Sequence, residues 1–270
     1  MNANQALWEK GDFTQLARTM RQSGEKFVAG LGITKGMKVL DLGCGDGTTA
    51  IPAAKLGAEV LGVDIARNLV EAGTKRAADE NITGIKFQYG DAIQLDGIDD
   101  KQFDLVVSVF GAMFAPQPYD VARSMVRVTK PGGRIIMGNW IPGDPTLVAQ
   151  VLKTSSAFTP PPPEGFISPM LWGTEPEVIN RFTAAGIKKE NISFEKVTFT
   201  FIADESPVIY LQRFINYYGP TMNAFDAADK NGKRAELQEQ LEALFTAQNT
   251  AADPGKTNID ASFLKVTVQI

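Results

Sequence analysis

The stretch VLDLGCGDG, residues 39–47, decides the fold of this chain. It begins as an apolar run typical of a buried strand and ends with glycine at every second position, 43, 45 and 47. Glycine lets the backbone turn sharply and lets a ligand approach the backbone closely. A helix that starts just after such a loop presents free N–H groups and the positive end of its dipole to the same ligand. The stretch therefore predicts a strand, a ligand-binding loop and a helix in succession.

Apolar runs and helical patterns alternate through the first half of the chain. After the first strand, four more are predicted at 59–64, 85–89, 103–110 and 134–140. Helices are predicted at 66–80 and 118–129, and the sequence KPGG at 130–133 ends the second of them. Continuous apolar runs are typical of parallel strands buried on both faces of a sheet. Their alternation with helices predicts a doubly wound α/β sheet.

The second half of the chain is richer in proline and has a different pattern. Residues 141–173 include four consecutive prolines, 160–163, which favour an extended, stiff segment over a helix. Thr174 and Glu177 have the spacing of a capping box and predict a helix start. The remaining predicted elements are a strand at 197–201, a helix at 233–248 and a half-buried antiparallel strand at 264–270. Because no repeat or linker separates these segments, one domain over residues 1–270 is expected.

Composition excludes several kinds of chemistry. The chain has 270 residues, with 27 Lys and Arg against 31 Asp and Glu, and this net charge of −4 argues against a nucleic-acid-binding protein. It has one cysteine, Cys44, and no histidine, which excludes a histidine base and metal sites built from Cys or His. No apolar run approaches the roughly 18 residues needed to cross a bilayer, and the start of the chain lacks a signal-peptide pattern. A cytoplasmic protein without metal, membrane or nucleic-acid partners is expected.

Acidic residues around the glycine loop indicate the kind of ligand. A dinucleotide-binding loop reads G-x-G-x-x-G, which would need glycine where Thr48 stands, and Asp41 and Asp46 would repel a pyrophosphate. Asp41 instead suits a ligand with an ammonium or sulfonium charge. Asp64, at the end of the second strand, is placed to accept hydrogen bonds from ribose hydroxyls. Asp91, at the end of the third, could accept one from an adenine amino group, so a cationic, adenosine-containing ligand is predicted.

Five motifs resemble those of the class I S-adenosylmethionine (SAM)-dependent methyltransferases, and most closely the type 11 and ubiquinone/menaquinone groups. They are VLDLGCGDG at 39–47, LGVDIA at 61–66, YGDA at 89–92, FDLVVSVFGAMF at 103–114 and KPGG at 130–133. The resemblance implies a seven-stranded Rossmann-like sheet in the order 3-2-1-4-5-7-6 with the seventh strand antiparallel. The C-terminal alternating run suits that last strand.

The resemblance also implies a role for individual residues and a division of the chain. In the implied complex, the glycines at 43, 45 and 47 pass under the methionine part of SAM, and the Val109 backbone lies near the methyl donor. Asp64 would bind the ribose, and Ile65 would pack on adenine. Asp91 and the Ala92 N–H would bind the adenine edge. The predicted cofactor-binding set is Asp41, Gly43, Cys44, Gly45, Asp64, Ile65, Asp91, Ala92 and Val109. The side chain of Cys44 is expected to pack inside the loop rather than react. Residues 36–140 would be the SAM-binding half, residues 1–35 an N-terminal cap, and 141–173 and 204–250 substrate-capping insertions.

Motifs that the sequence lacks exclude several classes of methyl acceptor. The (D/N)-P-P-(Y/F) motif of nucleic-acid amino methylation is replaced by SVFGAMF at 108–114, no Pro-Cys nucleophile exists, and one cysteine cannot form an arsenic site. A small apolar or aromatic metabolite is therefore expected, covered by aromatic residues of which about half are expected to be ordinary core. These residues are Trp8, Phe13, Phe114, Trp140, Phe158, Phe166, Trp172, Tyr217 and Tyr218. The alternatives are a SAM-binding regulatory or partner module without catalysis and, less favoured, an NAD-dependent oxidoreductase; the acceptor atom and the oligomeric state stay open.

No catalytic residue is assigned from the sequence. SAM carries a good leaving group, so alignment and exclusion of water are sufficient for an acceptor that is already nucleophilic. If a base is needed, only carboxylates, Tyr or Lys are available. The candidates are Asp144, Glu164, Tyr217 and Tyr218, and a carboxylate among them would need an apolar pocket that raises its pKa. The base-free mechanism is favoured, because no motif marks a base.

Overall fold

A seven-stranded sheet organises the chain in a computed structural model that describes residues 3–270. The strands are β1 (Lys38–Leu42), β2 (Glu59–Asp64), β3 (Ile85–Tyr89), β4 (Phe103–Val109), β5 (Thr129–Trp140), β6 (Ile192–Ala203) and β7 (Thr257–Gln269). Their order is β3-β2-β1-β4-β5-β7-β6. The pairs from β3 to β5 are parallel, and β7 runs antiparallel to both β5 and β6. The predicted fold class, strand order and antiparallel seventh strand are confirmed.

Eleven α-helices accompany the sheet in the described part of the chain. They are α1 (Ala3–Glu9), α2 (Thr14–Ala17), α3 (Arg21–Ala29), α4 (Ala50–Lys55), α5 (Arg67–Asp79), α6 (Pro118–Val128), α7 (Leu147–Ser156), α8 (Glu175–Ala184), α9 (Pro207–Tyr217), α10 (Gly219–Lys230) and α11 (Arg234–Gln248). Helices α5, α6 and α11 match the three helices predicted from periodicity to within two residues at each end.

The sheet is buried on both faces, as the continuous apolar runs predict. Val39 and Leu105 belong to one core cluster and their neighbours Leu40 and Val106 to another, and all four are fully buried. Successive residues of a strand point to opposite faces, so each strand contributes to both clusters. At roughly 25 cal/mol per Å² of apolar surface, such burial is the main source of stability for the sheet.

Three local predictions differ from the structure. The KPGG sequence ends α6 at Val128, but it continues as an irregular start of β5, because Phe103 pairs with Thr129 and Leu105 with Arg134. The capping box at Thr174 does not form, since the Thr174 hydroxyl donates to the Leu171 carbonyl oxygen at 2.9 Å instead. The proline-rich segment is not extended throughout: it contains α7, and its four prolines lie in the irregular stretch that follows.

The segments outside the sheet pack against one another. Helices α9, α10 and α11, from residues 204–250, pack together, and α10 and α11 also pack on α7. At the other end of the chain, α1 contacts α5 and α10, and α2 contacts α9. No helix within residues 3–270 combines the length and apolar character needed to span a bilayer. The N-terminal helices and the later helices thus meet beside the sheet.

Candidate active site

A cavity lies at the carboxyl ends of β1, β2 and β4, and it opens to solvent. We call it the central cavity. Its lining residues are Asn4, Trp8, Phe13, Ala17, Met20, 42–46, 48–49, 63–65, Leu69, 90–92, 109–112, Ala115 and Phe199. Eight of the nine predicted cofactor-binding residues lie in this lining: Gly43, Cys44, Gly45, Asp64, Ile65, Asp91, Ala92 and Val109. The ninth, Asp41, does not.

The glycine loop is built from left-handed backbone. Gly43, Gly45 and Gly47 have φ values of +71°, +54° and +88°, which residues with a Cβ adopt only with strain. The N–H groups of Gly43 and Cys44 both donate to the Val63 carbonyl oxygen, at 2.8 and 3.1 Å. A Cβ on Gly45 would meet no atom within 4 Å, so its backbone borders open space along the cavity. At Gly45 the loop therefore presents bare backbone to the cavity.

Asp64 joins the end of β2 to the glycine loop. One carboxylate oxygen accepts from the Gly45 N–H at 2.8 Å and the other from the Ala66 N–H at 2.9 Å. The residue is 8% exposed, and burial raises its pKa despite the hydrogen bonds that oppose the rise. Each oxygen retains a lone pair for a further donor. Asp64 is therefore both an anchor for the loop and an acceptor on the cavity wall.

Asp91 also borders the cavity, at the end of β3. Its side chain is half-buried, and one oxygen accepts from the Ile93 N–H at 2.9 Å, a local turn contact. Ala92 and Ile65 lie beside it in the same wall. The turn contact does not exhaust the carboxylate, whose second oxygen is available to a ligand donor.

Asp41 lies inside the sheet rather than on the cavity wall. It pairs with Gly62 on one side and Val107 on the other, is 1% exposed, and has one carboxylate oxygen without a hydrogen-bond partner among residues 3–270. Burial, reinforced by repulsion from Asp64, raises the pKa of Asp41 to about 8. The structure therefore does not place Asp41 in direct contact with a cation bound in the central cavity, which its charge had led us to expect.

The raised pKa of Asp41 predicts how stability depends on pH. Between about pH 4 and pH 8 the folded chain retains on Asp41 a proton that the unfolded chain has released. The free energy of unfolding should therefore fall as pH rises through this window, by up to about 1.4 kcal/mol per pH unit. In urea unfolding followed by fluorescence, the free energy of unfolding of Asp41→Asn should fall less steeply with pH than that of wild type. Asp79→Asn, at an exposed aspartate, serves as the control. Parallel pH profiles for wild type and Asp41→Asn would contradict the assignment.

Asp46 and Cys44 complete the loop. Asp46 is 3% exposed and forms an ion pair with Arg21 of α3 at 2.9 Å, so the N-terminal cap is tied to the loop. The Cys44 thiol is buried, and burial, with repulsion from Asp64 and Asp41, raises its pKa well above the ordinary value. A thiol that resists ionisation is a poor nucleophile, which agrees with a packing role.

Two residues missed by the sequence reasoning hold the loops after β1 and β4 together. The Ser108 hydroxyl donates to the Leu42 carbonyl oxygen at 2.6 Å and accepts from the Ala112 N–H at 2.9 Å. A Cβ on Gly111 would lie 2.5 Å from the Gly43 carbonyl oxygen, so the two backbones touch. The one available signal was an isolated glycine just after a strand, which indicates close approach of another backbone.

Phe110 stands between these loops in a strained conformation. Its φ is +58°, rare for a bulky residue, and such outliers cluster at functional sites. Its ring stacks on Trp140, with ring centroids 3.6 Å apart and planes 11° apart. The stack fixes the ring where it borders two cavities.

The second of these cavities, which we call the aromatic cage, adjoins the central cavity. Its lining residues are Trp8, Phe13, Leu16, Met20, Phe110, Phe114, Trp140, Val148, Phe201, Phe214 and Tyr218. No charged residue is among them. Trp8, Phe13, Met20 and Phe110 line both cavities, so a molecule in the cage would lie beside one in the central cavity.

The nine residues of the expected aromatic cover lie in different places. Five of them line the cage: Trp8, Phe13, Phe114, Trp140 and Tyr218. Phe158 and Trp172 are buried core outside the cage, and with the buried Trp140 and Tyr218 they make four of the nine, about the half that was expected. Phe166 is 54% exposed at the rim of an outer groove that runs between α7 and the loop at 159–170. Tyr217 lines none of these cavities.

The four candidate bases are dispersed, and only Tyr218 lies in the cage. Asp144 is buried, but hydrogen bonds from Lys196 at 2.7 Å and from Thr146 outweigh the effect of burial and lower its pKa. It is thus not the desolvated carboxylate that a base would require. Glu164 lies in the outer groove. Within residues 3–270, no three His, Cys, Asp or Glu side chains are grouped to hold a metal ion.

Comparison with known proteins agrees with this geometry. Residues 33–158 match a family described as a methyltransferase domain. A Mycobacterium tuberculosis protein described as uncharacterized is 33% identical over 245 residues, 89% of this chain and 86% of the relative. Demethylmenaquinone methyltransferase from Staphylococcus aureus is 37% identical over 109 residues, 39% of this chain and 44% of that enzyme.

A solved structure shows the same fold over the full length. Phosphoethanolamine N-methyltransferase 2 of Haemonchus contortus, solved with phosphomonomethylethanolamine and S-adenosylhomocysteine, matches with a TM-score of 0.61 at 13% identity. The match covers 100% of this chain and 60% of that one.

Residues 33–158 belong to the methyltransferase domain family, and the strand order agrees with that assignment. The chain is a methyltransferase enzyme, and the cofactor that its sequence motifs imply is SAM, which becomes S-adenosylhomocysteine when the methyl group leaves. The glycine loop and Asp64 fit this cofactor, since they offer bare backbone and a carboxylate on one cavity wall.

Proposed function

We propose that the enzyme transfers the methyl group of SAM directly to a small apolar or aromatic metabolite held in the aromatic cage. The observation that carries the proposal is the wall shared by the central cavity and the cage, formed by Trp8, Phe13, Met20 and Phe110. An acceptor in the cage needs no channel or relay to reach a methyl donor in the central cavity.

The cofactor contacts are proposed for the residues on the central cavity wall. Asp64 would accept from the ribose hydroxyls, Asp91 and the Ala92 N–H would bind the adenine edge, and Ile65 would pack on the adenine ring. The bare loop at 43–47 and the Val109 backbone would hold the methionine part. Asp41, whose pKa is raised to about 8 by its burial in β1, would be uncharged at neutral pH and would support the loop without touching the ligand.

The character of the acceptor is proposed from the lining of the cage. Eight of its eleven lining residues are aromatic and none is charged, so burying an ammonium or carboxylate group there would leave it unpaired. Aromatic side chains bury large apolar surfaces and favour edge or offset contact with another ring. A neutral ring or apolar body therefore fits the cage best.

The proposed mechanism needs little from the protein beyond geometry. SAM supplies an electrophilic methyl group on a sulfonium that leaves readily. The cage residues exclude water and align the acceptor atom, which converts the reaction into an effectively intramolecular one. Because no desolvated carboxylate lies in the cage, the pH–rate profile is expected to show the ionisation of no enzyme group; the acceptor is expected to react in its neutral form and to release its proton to solvent after methylation.

The acceptor class is tested with methyl-labelled SAM and a metabolite extract. Label is expected to appear in small, organic-extractable products, and Asp64→Asn should reduce it strongly at limiting SAM. Label in protein or nucleic acid would overturn the acceptor proposal. Cofactor binding without labelled product from any extract would instead favour a SAM-binding regulatory module.

We also propose that residues 1–270 act as one methyltransferase unit, with residues 3–35, 141–173 and 204–250 as its cover. Support comes from the end of α1, where the Glu9 carboxylate accepts from the Arg67 backbone N–H at 3.0 Å and Lys10, the next residue, donates to the Asn223 side-chain oxygen at 2.7 Å. The helix thus bridges the start of α5 and the side of α10. The cytoplasmic location expected from the sequence stays a prediction.

Hydrogen exchange tests the mobility of this cover. Residues 3–25 and 141–173 should exchange faster than β4 in the ligand-free enzyme, since lid segments belong to the less stable parts of a fold. S-adenosylhomocysteine should slow exchange in residues 3–25, because Asn4, Trp8 and Phe13 line the central cavity. Equal protection of both segments and β4, with and without ligand, would contradict this cover.

A further inference from the structure

The polar atoms in the aromatic cage are few and of one kind. Among its side chains, oxygen and nitrogen occur only in the Tyr218 hydroxyl and in the indole N–H groups of Trp8 and Trp140. Each of these groups can donate a hydrogen bond, and an indole can do nothing else. The cage is therefore apolar overall but equipped with donors.

Tyr218 is held firmly in the cage. It lies between α9 and α10, where its N–H donates to the Phe214 carbonyl oxygen at 3.1 Å and its own carbonyl oxygen accepts from the Met222 N–H at 2.9 Å. Its ring packs against Trp8, Phe13 and Phe214 at centroid distances of 6.1, 6.3 and 5.5 Å. Backbone and ring contacts together fix the direction of the hydroxyl.

The hydroxyl itself is left over for a ligand. Tyr218 is 5% exposed, yet no group within residues 3–270 hydrogen-bonds its hydroxyl. Nor is that oxygen among the buried side-chain atoms that are sealed from solvent without a partner, and its residue lines the cage. Tyr210 differs, because its hydroxyl is paired with the Thr19 hydroxyl at 2.8 Å. A hydroxyl held in an apolar cavity without a protein partner is placed to bind a polar atom of the ligand.

We propose that the Tyr218 hydroxyl donates a hydrogen bond to an oxygen of the methyl acceptor, which is therefore a neutral, flat, apolar molecule that carries a hydrogen-bond-accepting oxygen. This inference rests on the proposed function, since it places the acceptor in the cage. It identifies Tyr218 as a residue that positions the acceptor, and it requires a hydrogen-bond-accepting oxygen on the acceptor. It also assigns Tyr218 a role other than that of a base.

The surroundings of Tyr218 support donation rather than proton removal. Burial raises the pKa of its phenol, and no charged group lines the cage to offset the rise. The phenol stays protonated at neutral pH and can only donate or accept a hydrogen bond. The Tyr218 hydroxyl, as a single fixed donor, would hold the acceptor ring by the edge that carries the oxygen. The atoms at the other edge of that ring would then face the wall shared with the central cavity.

The proposal is tested with two probes of nearly equal shape, acetophenone and isopropylbenzene, of which only the first has a carbonyl oxygen. Their dissociation constants are measured for the enzyme saturated with S-adenosylhomocysteine, in wild type, Tyr218→Phe and the matched control Tyr210→Phe. Tyr218→Phe should weaken acetophenone binding by about 3- to 10-fold, the range of one neutral hydrogen bond, and leave isopropylbenzene unchanged. Tyr210→Phe should change neither.

A spectroscopic readout makes the test independent of small affinity changes. The infrared carbonyl stretch of bound acetophenone should lie at lower wavenumber in wild type than in Tyr218→Phe, where the oxygen loses its donor. Equal loss of both probes in Tyr218→Phe would mean a packing role and overturn the proposal, as would the same carbonyl stretch for acetophenone bound to the two enzymes.

The remaining outcomes separate this inference from the proposed function. Tighter binding of phenyltrimethylammonium than of its neutral isostere tert-butylbenzene would mean a cation–π cage and overturn a neutral acceptor. Labelled methyl groups in macromolecules, with the acetophenone selectivity intact, would overturn the acceptor proposal and leave the Tyr218 donor in place. Failure of every probe to bind would overturn the placement of the acceptor in the cage.

Discussion

Asp64→Asn is expected to weaken the binding of SAM and of S-adenosylhomocysteine by about 10- to 100-fold. Hydrogen bonds to a charged group are worth about 1.5–3 kcal/mol, and a tenfold change corresponds to about 1.4 kcal/mol. The amide would also point N–H hydrogens at the Gly45 or Ala66 N–H, since both carboxylate oxygens now accept from the backbone. Titration calorimetry with each ligand measures the change.

Asp144→Asn is the matched control for this experiment. Asp144 is also a buried aspartate, 6% exposed, that accepts a backbone N–H at 2.9 Å, but it lies outside the central cavity and the cage. Both variants should lose stability, and only Asp64→Asn should lose cofactor affinity. An unchanged dissociation constant in Asp64→Asn would remove Asp64 from the site, and tighter binding of NAD than of SAM would overturn the cofactor contacts as a whole.

Gly111→Ala is expected to reduce both stability and cofactor affinity. The new Cβ would lie 2.5 Å from the Gly43 carbonyl oxygen and 2.7 Å from its Cα, closer than backbone atoms tolerate, so the loops after β1 and β4 must separate. Overpacking of this kind costs about 1–3 kcal/mol. Because Gly43 and Gly111 both line the central cavity, the same displacement moves its wall. Denaturant unfolding and calorimetry give the two effects.

Gly30→Ala provides the comparison. Gly30 has an ordinary φ of −83°, and its nearest neighbour would be 3.4 Å from the new Cβ, which is van der Waals contact. Its free energy of unfolding and its cofactor affinity should stay close to those of wild type. Wild-type affinity in a destabilised Gly111→Ala would mean that the loop contact supports the fold alone.

The parts of the site that could be predicted are those encoded locally. The glycine loop and the carboxylates at strand ends follow directly after apolar runs, so their position at one edge of the sheet follows from the parallel topology. The prediction placed Asp41 at the ligand because it considered the charge of the residue and not its position in the strand. It lies within β1, two residues before the loop, where side chains face the sheet layers instead of the open edge.

The cage could not be predicted as a set, because its contacts connect distant parts of the chain. Trp8 meets Tyr218 across most of the sequence, with ring centroids 6.1 Å apart. Nothing local distinguishes Tyr218 from Tyr217, yet one faces the cage and its neighbour does not. The capping box predicted at Thr174 also does not form. The Thr174 hydroxyl donates to the Leu171 carbonyl oxygen in the preceding turn instead of accepting from a backbone N–H of α8.

The wall shared by the two cavities makes their occupants thermodynamically linked. Trp8, Phe13, Met20 and Phe110 contact both spaces, so a cofactor that orders these side chains spares the acceptor that entropic cost. Linkage is reciprocal: the factor by which one ligand tightens the other is the same in both directions. A search for acceptors by binding should therefore be run on the enzyme loaded with S-adenosylhomocysteine, where weak ligands that the empty protein would miss rise into the measurable range.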